Sequence, residues 1–157
     1  MLWSSYFGKI MMTVLIAMLP VIELRGAIPV ATANGLEPRT AIIAAVIGNL
    51  LPIPAIILFV RRVFAWLRKR SEKWNGFVSR LEERAEKKAD IVHRYAFWGL
   101  ALFVAIPLPG TGAWTGALIA AMLNMRLRDA VPAITLGVVT AGMIVAFVSY
   151  GISALMF

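Results

Sequence analysis

The chain has 157 residues, 61% of them hydrophobic and 15% charged, with a mean hydropathy of +0.82 and a formal net charge of +8. Soluble domains carry about 25% charged residues, so this composition excludes an ordinary soluble fold and predicts an all-α integral membrane protein. Cysteine is absent, which excludes disulfides and thiolate metal sites. The one histidine, His93, offers no metal cluster, so neither a metal nor a cofactor is expected.

The first apolar stretch, residues 10–33, holds an acid and a base near its middle: Glu23 and Arg25, between Pro20 and Pro29. Ionisable groups inside a membrane are expensive and mark a functional site by default. Residues two apart on a helix do not face each other, so a plain spanning helix would leave this pair divided. Two prolines and Gly26 within ten residues predict that the helix is broken between Pro20 and Pro29. Such irregular backbone is tolerated at membrane depth only where protein buries it or it lines a cavity. Lys9 before an apolar run, with Ala31-Thr32-Ala33 beyond, has the outline of a signal peptide. Glu23 and Arg25 intervene where a signal peptide would be uncharged, so cleavage is not expected.

The second stretch, 41–60, is long enough to span and contains Gly48, Asn49, Pro52 and Pro54, which predict a kink with Asn49 buried against protein. Asn49 would line a path or make an interhelical hydrogen bond. The segment 61–94 follows, with eleven of the sixteen Lys/Arg residues and five acidic ones. Charge gathered in one loop bears on topology rather than on nucleic acid, and the positive-inside rule puts 61–94, Arg126 and Arg128 in the cytoplasm with both termini outside. Trp74, Phe77, Val78, Leu81 and Ala85 recur at helical spacing, which predicts a basic amphipathic linker helix on the membrane surface.

The third stretch, 95–123, would make a straight helix about 43 Å long, too long for a hydrocarbon core of about 30 Å. Its middle reads Pro107, Leu108, Pro109, Gly110, Thr111, Gly112, which no continuous helix accommodates. A hairpin with its tip at this motif fits, its second arm opening at Ala113. The helix start there presents N–H groups and a positive dipole end, a ready anion site, and Thr111 adds a hydroxyl. Gly26 would open a helix likewise beside Arg25. The fourth stretch, 130–157, reads as a spanning helix. Pro20 precedes Pro107 by 87 positions, and Arg39, Ala41 and Gly48 precede Arg128, Ala130 and Gly137 by 89. Paired Pro/Gly-interrupted segments in two halves point to a transporter binding site.

Three roles stay open for Glu23: a structural partner of Arg25 or of backbone N–H groups, a proton carrier, or the ligand of a cationic substrate. Arg25 does not lose its proton and is expected to be compensated by Glu23, by carbonyls or by a substrate anion. No nucleophile–base constellation, phosphate-binding loop or dinucleotide fingerprint is present, so an enzyme is not expected.

The pairing of Glu-Leu-Arg-Gly-Ala-Ile-Pro at 23–29 with Pro-Leu-Pro-Gly-Thr-Gly-Ala-Trp-Thr-Gly at 107–116 resembles the small multidrug export family, which looks like a distant branch of the DedA superfamily. The resemblance implies two inverted re-entrant hairpins plus spanning helices and a role in moving lipids, with Glu23 as the hairpin acid and Arg25 as the hairpin base. Thr111 and Trp114 stand where DedA proteins carry a second arginine.

The expected architecture is therefore one membrane domain: repeat 1 over about 8–60, a cytoplasmic linker over 61–94 and repeat 2 over 95–157. The leading functional expectation is a multi-pass inner-membrane homodimer that transports or flips a lipid-linked anion. Its site would comprise Glu23, Arg25, Gly26, Asn49, Pro107, Pro109, Gly110, Thr111 and Gly112, with proton coupling at Glu23. The alternatives are proton-coupled export of hydrophobic cations and a non-transporting membrane organiser.

Overall fold

The computed structural model describes residues 5–70, 76, 79, 89–108 and 110–156. It contains the helices α1 (Tyr6–Ala17), α2 (Glu23–Ala33), α3 (Pro38–Leu50), α4 (Ile53–Arg70), α5 (Ala89–Ala105), α6 (Ala113–Met122) and α7 (Leu127–Met156). No strand occurs among the described residues. Among the described residues two runs are long and apolar enough to cross a membrane: the 29 residues Pro38–Trp66, which join α3 to α4, and the 23 residues Leu127–Ser149 of α7. Helices α1, α2 and α6 have 12, 11 and 10 residues. At 1.5 Å per residue each is about 15–18 Å long, roughly half the apolar thickness of a bilayer.

Each break has a local cause. Pro52 has no N–H, and the α3–α4 rod turns at residues 51–52. The chain leaves α5 after Ala105 and enters α6 at Ala113, through the Pro/Gly motif. In the first stretch the break covers residues 18–22, so it overlaps only the start of the expected Pro20–Pro29 interval. Glu23, not Gly26, opens α2, and Pro29 stands inside that helix. Gly26 is needed for space, because a Cβ there would overlap the Ile22 side chain. Helix α4 runs unbroken to Arg70, so residues 61–70, which begin the expected linker, continue that helix. The expected linker helix through Trp74, Phe77, Val78, Leu81 and Ala85 lies outside the described residues.

Packing follows small side chains. α1 lies along α2 and α3, α5 lies along α6 and α7, and α7 also touches α2, α3, α4 and α6. Ala27, Ala31, Ala45, Ala117, Ala120 and Ala133 are fully buried, which lets backbones approach closely. Gly48 sits against the Val14 backbone and Ala17, and Gly137 against the Ala101 carbonyl and Val104.

The turns after α2 and α6 are built alike. Gly35 and Asn124 hold φ of +77° and +53°. The Leu36 N–H donates to the Ala31 carbonyl at 3.0 Å, and the Met125 N–H donates to the Ala120 carbonyl at 3.0 Å. This is the left-handed helix stop in which the residue after the cap closes back on the last turn. Every member of one turn stands 89 positions from its counterpart in the other.

Candidate functional site

The two broken-helix tips meet, and each caps the other. Glu23 enters α2 with φ +49°, a left-handed conformation that costs a non-glycine residue about 1–2 kcal/mol. Glycine would cost less there, so the side chain is what the position retains. The Glu23 side chain is buried, and its Oε1 accepts the Trp114 N–H at 3.3 Å. Trp114 is the second residue of α6, so the carboxylate rests on the positive end of that helix. Gly112, the residue that caps α6, provides the room: a Cβ there would overlap the Glu23 carboxylate.

Arg25 points to the other side of the same break. Its guanidinium donates to the Leu108 carbonyl, to the Ile106 carbonyl at 3.4 Å and to the Thr111 hydroxyl at 3.2 Å. Those carbonyls lie just past the end of α5, where the helix dipole is negative and helical partners run out. Thr111 organises the tip: its hydroxyl lies 2.6 Å from the Ile106 oxygen and accepts the Leu108 N–H at 3.2 Å. Gly110 turns the tip with φ +86°, which a side chain would strain.

The two-residue spacing that prevents Glu23 and Arg25 from pairing on a helix is thus put to use. One supplies an anion to the start of α6, the other a cation to the end of α5. Of the partners open to Arg25 from sequence, carbonyls are the ones its guanidinium hydrogen-bonds.

Trp114 completes the junction. Its indole Nε1–H donates to the Met18 carbonyl at 3.1 Å, just past the end of α1. Trp114 stands 89 positions after Arg25, and Gly112 stands 89 after Glu23. Equivalent positions of the two halves therefore face each other, acid against glycine, with guanidinium and indole each capping the opposite break. Met18 and Trp114 were not among the residues anticipated for the site. The same 89-residue register would have singled out Trp114 as the counterpart of Arg25.

The remaining expected residues fall in three places. Pro107 is half-buried in the second tip, and Gly26 lies in the first turn of α2. Pro109 lies outside the described residues. Asn49 is apart from the junction's hydrogen bonds, on the buried face of α3, and neither its Oδ1 nor its Nδ2 has a partner. The interhelical bond that was one of its two expected roles is therefore absent, and leaving such an amide unsatisfied costs about 1–3 kcal/mol. Among the described residues no group of His, Cys, Asp or Glu could hold a metal ion.

No curated protein and no solved structure matches the chain. A family model described as "Putative small multi-drug export protein" matches residues 23–144, more than half of the chain. The match begins at Glu23, directly after the first break, takes in the second tip and runs into α7 as far as residue 144, and the chain belongs to this small multi-drug export family.

Proposed function

We propose that the chain exports hydrophobic cations and that Glu23 is the carboxylate that meets the substrate's charge. The observation that carries this reading is the division of partners at the junction. Arg25 is engaged by three oxygens of the second tip, whereas Glu23 takes one backbone N–H on Oε1. A carboxylate has about four lone-pair sites, so most of its accepting capacity stays open in surroundings of low dielectric. A cation desolvated there gains more from the pairing than it would in water. The family's description points the same way.

In this reading α1–α2 and α5–α6 are re-entrant hairpins that enter from opposite faces and meet near the bilayer centre, forming inverted repeats with α3–α4 and α7. The short helices, the matching turns at Gly35 and Asn124 and the matching glycine contacts at Gly48 and Gly137 support it. So does the first hairpin's open end, where the Tyr6 hydroxyl lies 3.2 Å from the Thr40 hydroxyl at the start of α3. The basic segment 61–94 faces the cytoplasm, both termini lie outside, and a second copy covers the lipid-facing edges of the hairpins. Proton exchange at Glu23 couples export to the pH gradient.

A lipid-linked anion needs Arg25 and the N–H groups of α6 for its headgroup. Arg25 and the Trp114 N–H are engaged within the protein, which favours the cation as cargo.

The test is uptake of tetraphenylphosphonium by proteoliposomes with and without an imposed pH gradient. Wild type should accumulate it only with the gradient. Glu23→Gln should not, and Glu23→Asp should keep part of the rate. Equal rates for wild type and Glu23→Gln in both conditions would make Glu23 structural and overturn the proposal.

A further inference from the structure

Trp114 does for the first break what Arg25 does for the second, donating an N–H to a carbonyl just beyond a helix end. Indole in place of guanidinium delivers that N–H without a charge and adds an aromatic face. Trp114 is held at both ends, its backbone on Glu23 and its ring on the first break. The backbone N–H sits on Oε1 at 3.3 Å and the ring N–H on the Met18 carbonyl at 3.1 Å. The ring cannot swing away without breaking a bond, yet Trp114 is only half-buried. Both tips carry exposed apolar side chains, Leu19, Val21 and Ile22 on one and Ile106 and Leu108 on the other.

Carboxylate, fixed indole and apolar rim together suit a bulky organic cation. The ring quadrupole attracts a positive charge within about 6 Å of its centroid, most strongly when desolvated. The carboxylate neutralises that charge, and the apolar substituents stay against the tips. Resting on the export reading above, we infer that Trp114 determines substrate specificity. Its indole face receives the quaternary or delocalised cation that Glu23 neutralises.

The experiment measures binding of tetraphenylphosphonium and of tetraphenylborate, similar in shape and opposite in charge, to the purified full-length protein in detergent. Trp114→Phe keeps an aromatic face but loses the indole N–H, and Trp114→Leu loses both. Trp114→Leu should bind the phosphonium about 10- to 30-fold more weakly with tetraphenylborate binding unchanged, and Trp114→Phe should stay within about three-fold of wild type. Fluorinated tryptophans placed at 114 keep the N–H and drain the ring quadrupole, so affinity should fall stepwise with fluorine number. That series decides the matter if the leucine variant does not fold.

Phosphonium binding unchanged by fluorination, or lost equally in the phenylalanine and leucine variants, would reduce Trp114 to a cap on α1 and overturn this inference alone. A wild-type protein that binds no phosphonium would overturn the export reading together with it.

Discussion

Glu23 and Gly112 form one unit at the level of single residues. The carboxylate occupies the space that any side chain at position 112 would need, while Glu23 itself holds a left-handed backbone. Gly112→Ala should therefore push the carboxylate off the Trp114 N–H and destabilise the protein by about 1–3 kcal/mol, the usual range for overpacking. In a Glu23→Gly background the obstruction is gone, and the same Gly112→Ala change should be nearly neutral. Thermal unfolding of the four proteins in one detergent measures this coupling. Additive losses would show that position 112 needs glycine for a reason other than Glu23.

Close backbone approach governs the pairing of elements. A Cβ at Gly48 would meet the Val14 carbonyl, and one at Gly137 would meet the Ala101 carbonyl, backbone atoms with little freedom to move. At Gly142 the nearest atom is the Val46 Cγ2 at 3.5 Å, an ordinary contact. Gly48→Ala and Gly137→Ala should each lower stability by about 1–3 kcal/mol, and Gly142→Ala should change it by less than about 0.5 kcal/mol. Comparing unfolding midpoints of the three variants checks the prediction. Similar losses at all three positions would mean that the α1–α3 and α5–α7 contacts are not special. The kink in the first span was legible at this scale, because Pro52 removes an N–H wherever it stands. The start of α2 was not. Pro29 looks like a helix breaker, yet it lies inside the helix, where contacts from the second half hold the turn before it.

For the whole molecule, the proposed topology puts the open end of the first hairpin on one face and the α6–α7 turn on the other. Single cysteines at Lys9, Asn34 and Asn124, probed with an impermeant thiol reagent on intact cells and on inverted vesicles, test it. Lys9 and Asn34 should label from the same side and Asn124 from the opposite one. The structure brings the first two together, with the Lys9 Nζ 3.3 Å from where a Gly35 Cβ would stand. Labelling of Lys9 and Asn34 from opposite sides would turn α1–α2 into a crossing segment and remove the inverted repeat.

Composition and the long apolar runs pointed to a helical membrane protein, and the described residues are helical with two helices long and apolar enough to cross a bilayer. Local chemistry placed the second break at its Pro/Gly motif and marked Glu23 and Arg25, because prolines and buried charges act wherever the chain goes. Their partners depended on tertiary structure. Glu23 meets Trp114 across 91 positions and Arg25 meets Leu108 across 83, distances over which no local pattern reports a contact. The helix ends they cap belong to the other half of the chain. Only folding brings a positive helix start and a negative helix end to the two faces of one short turn.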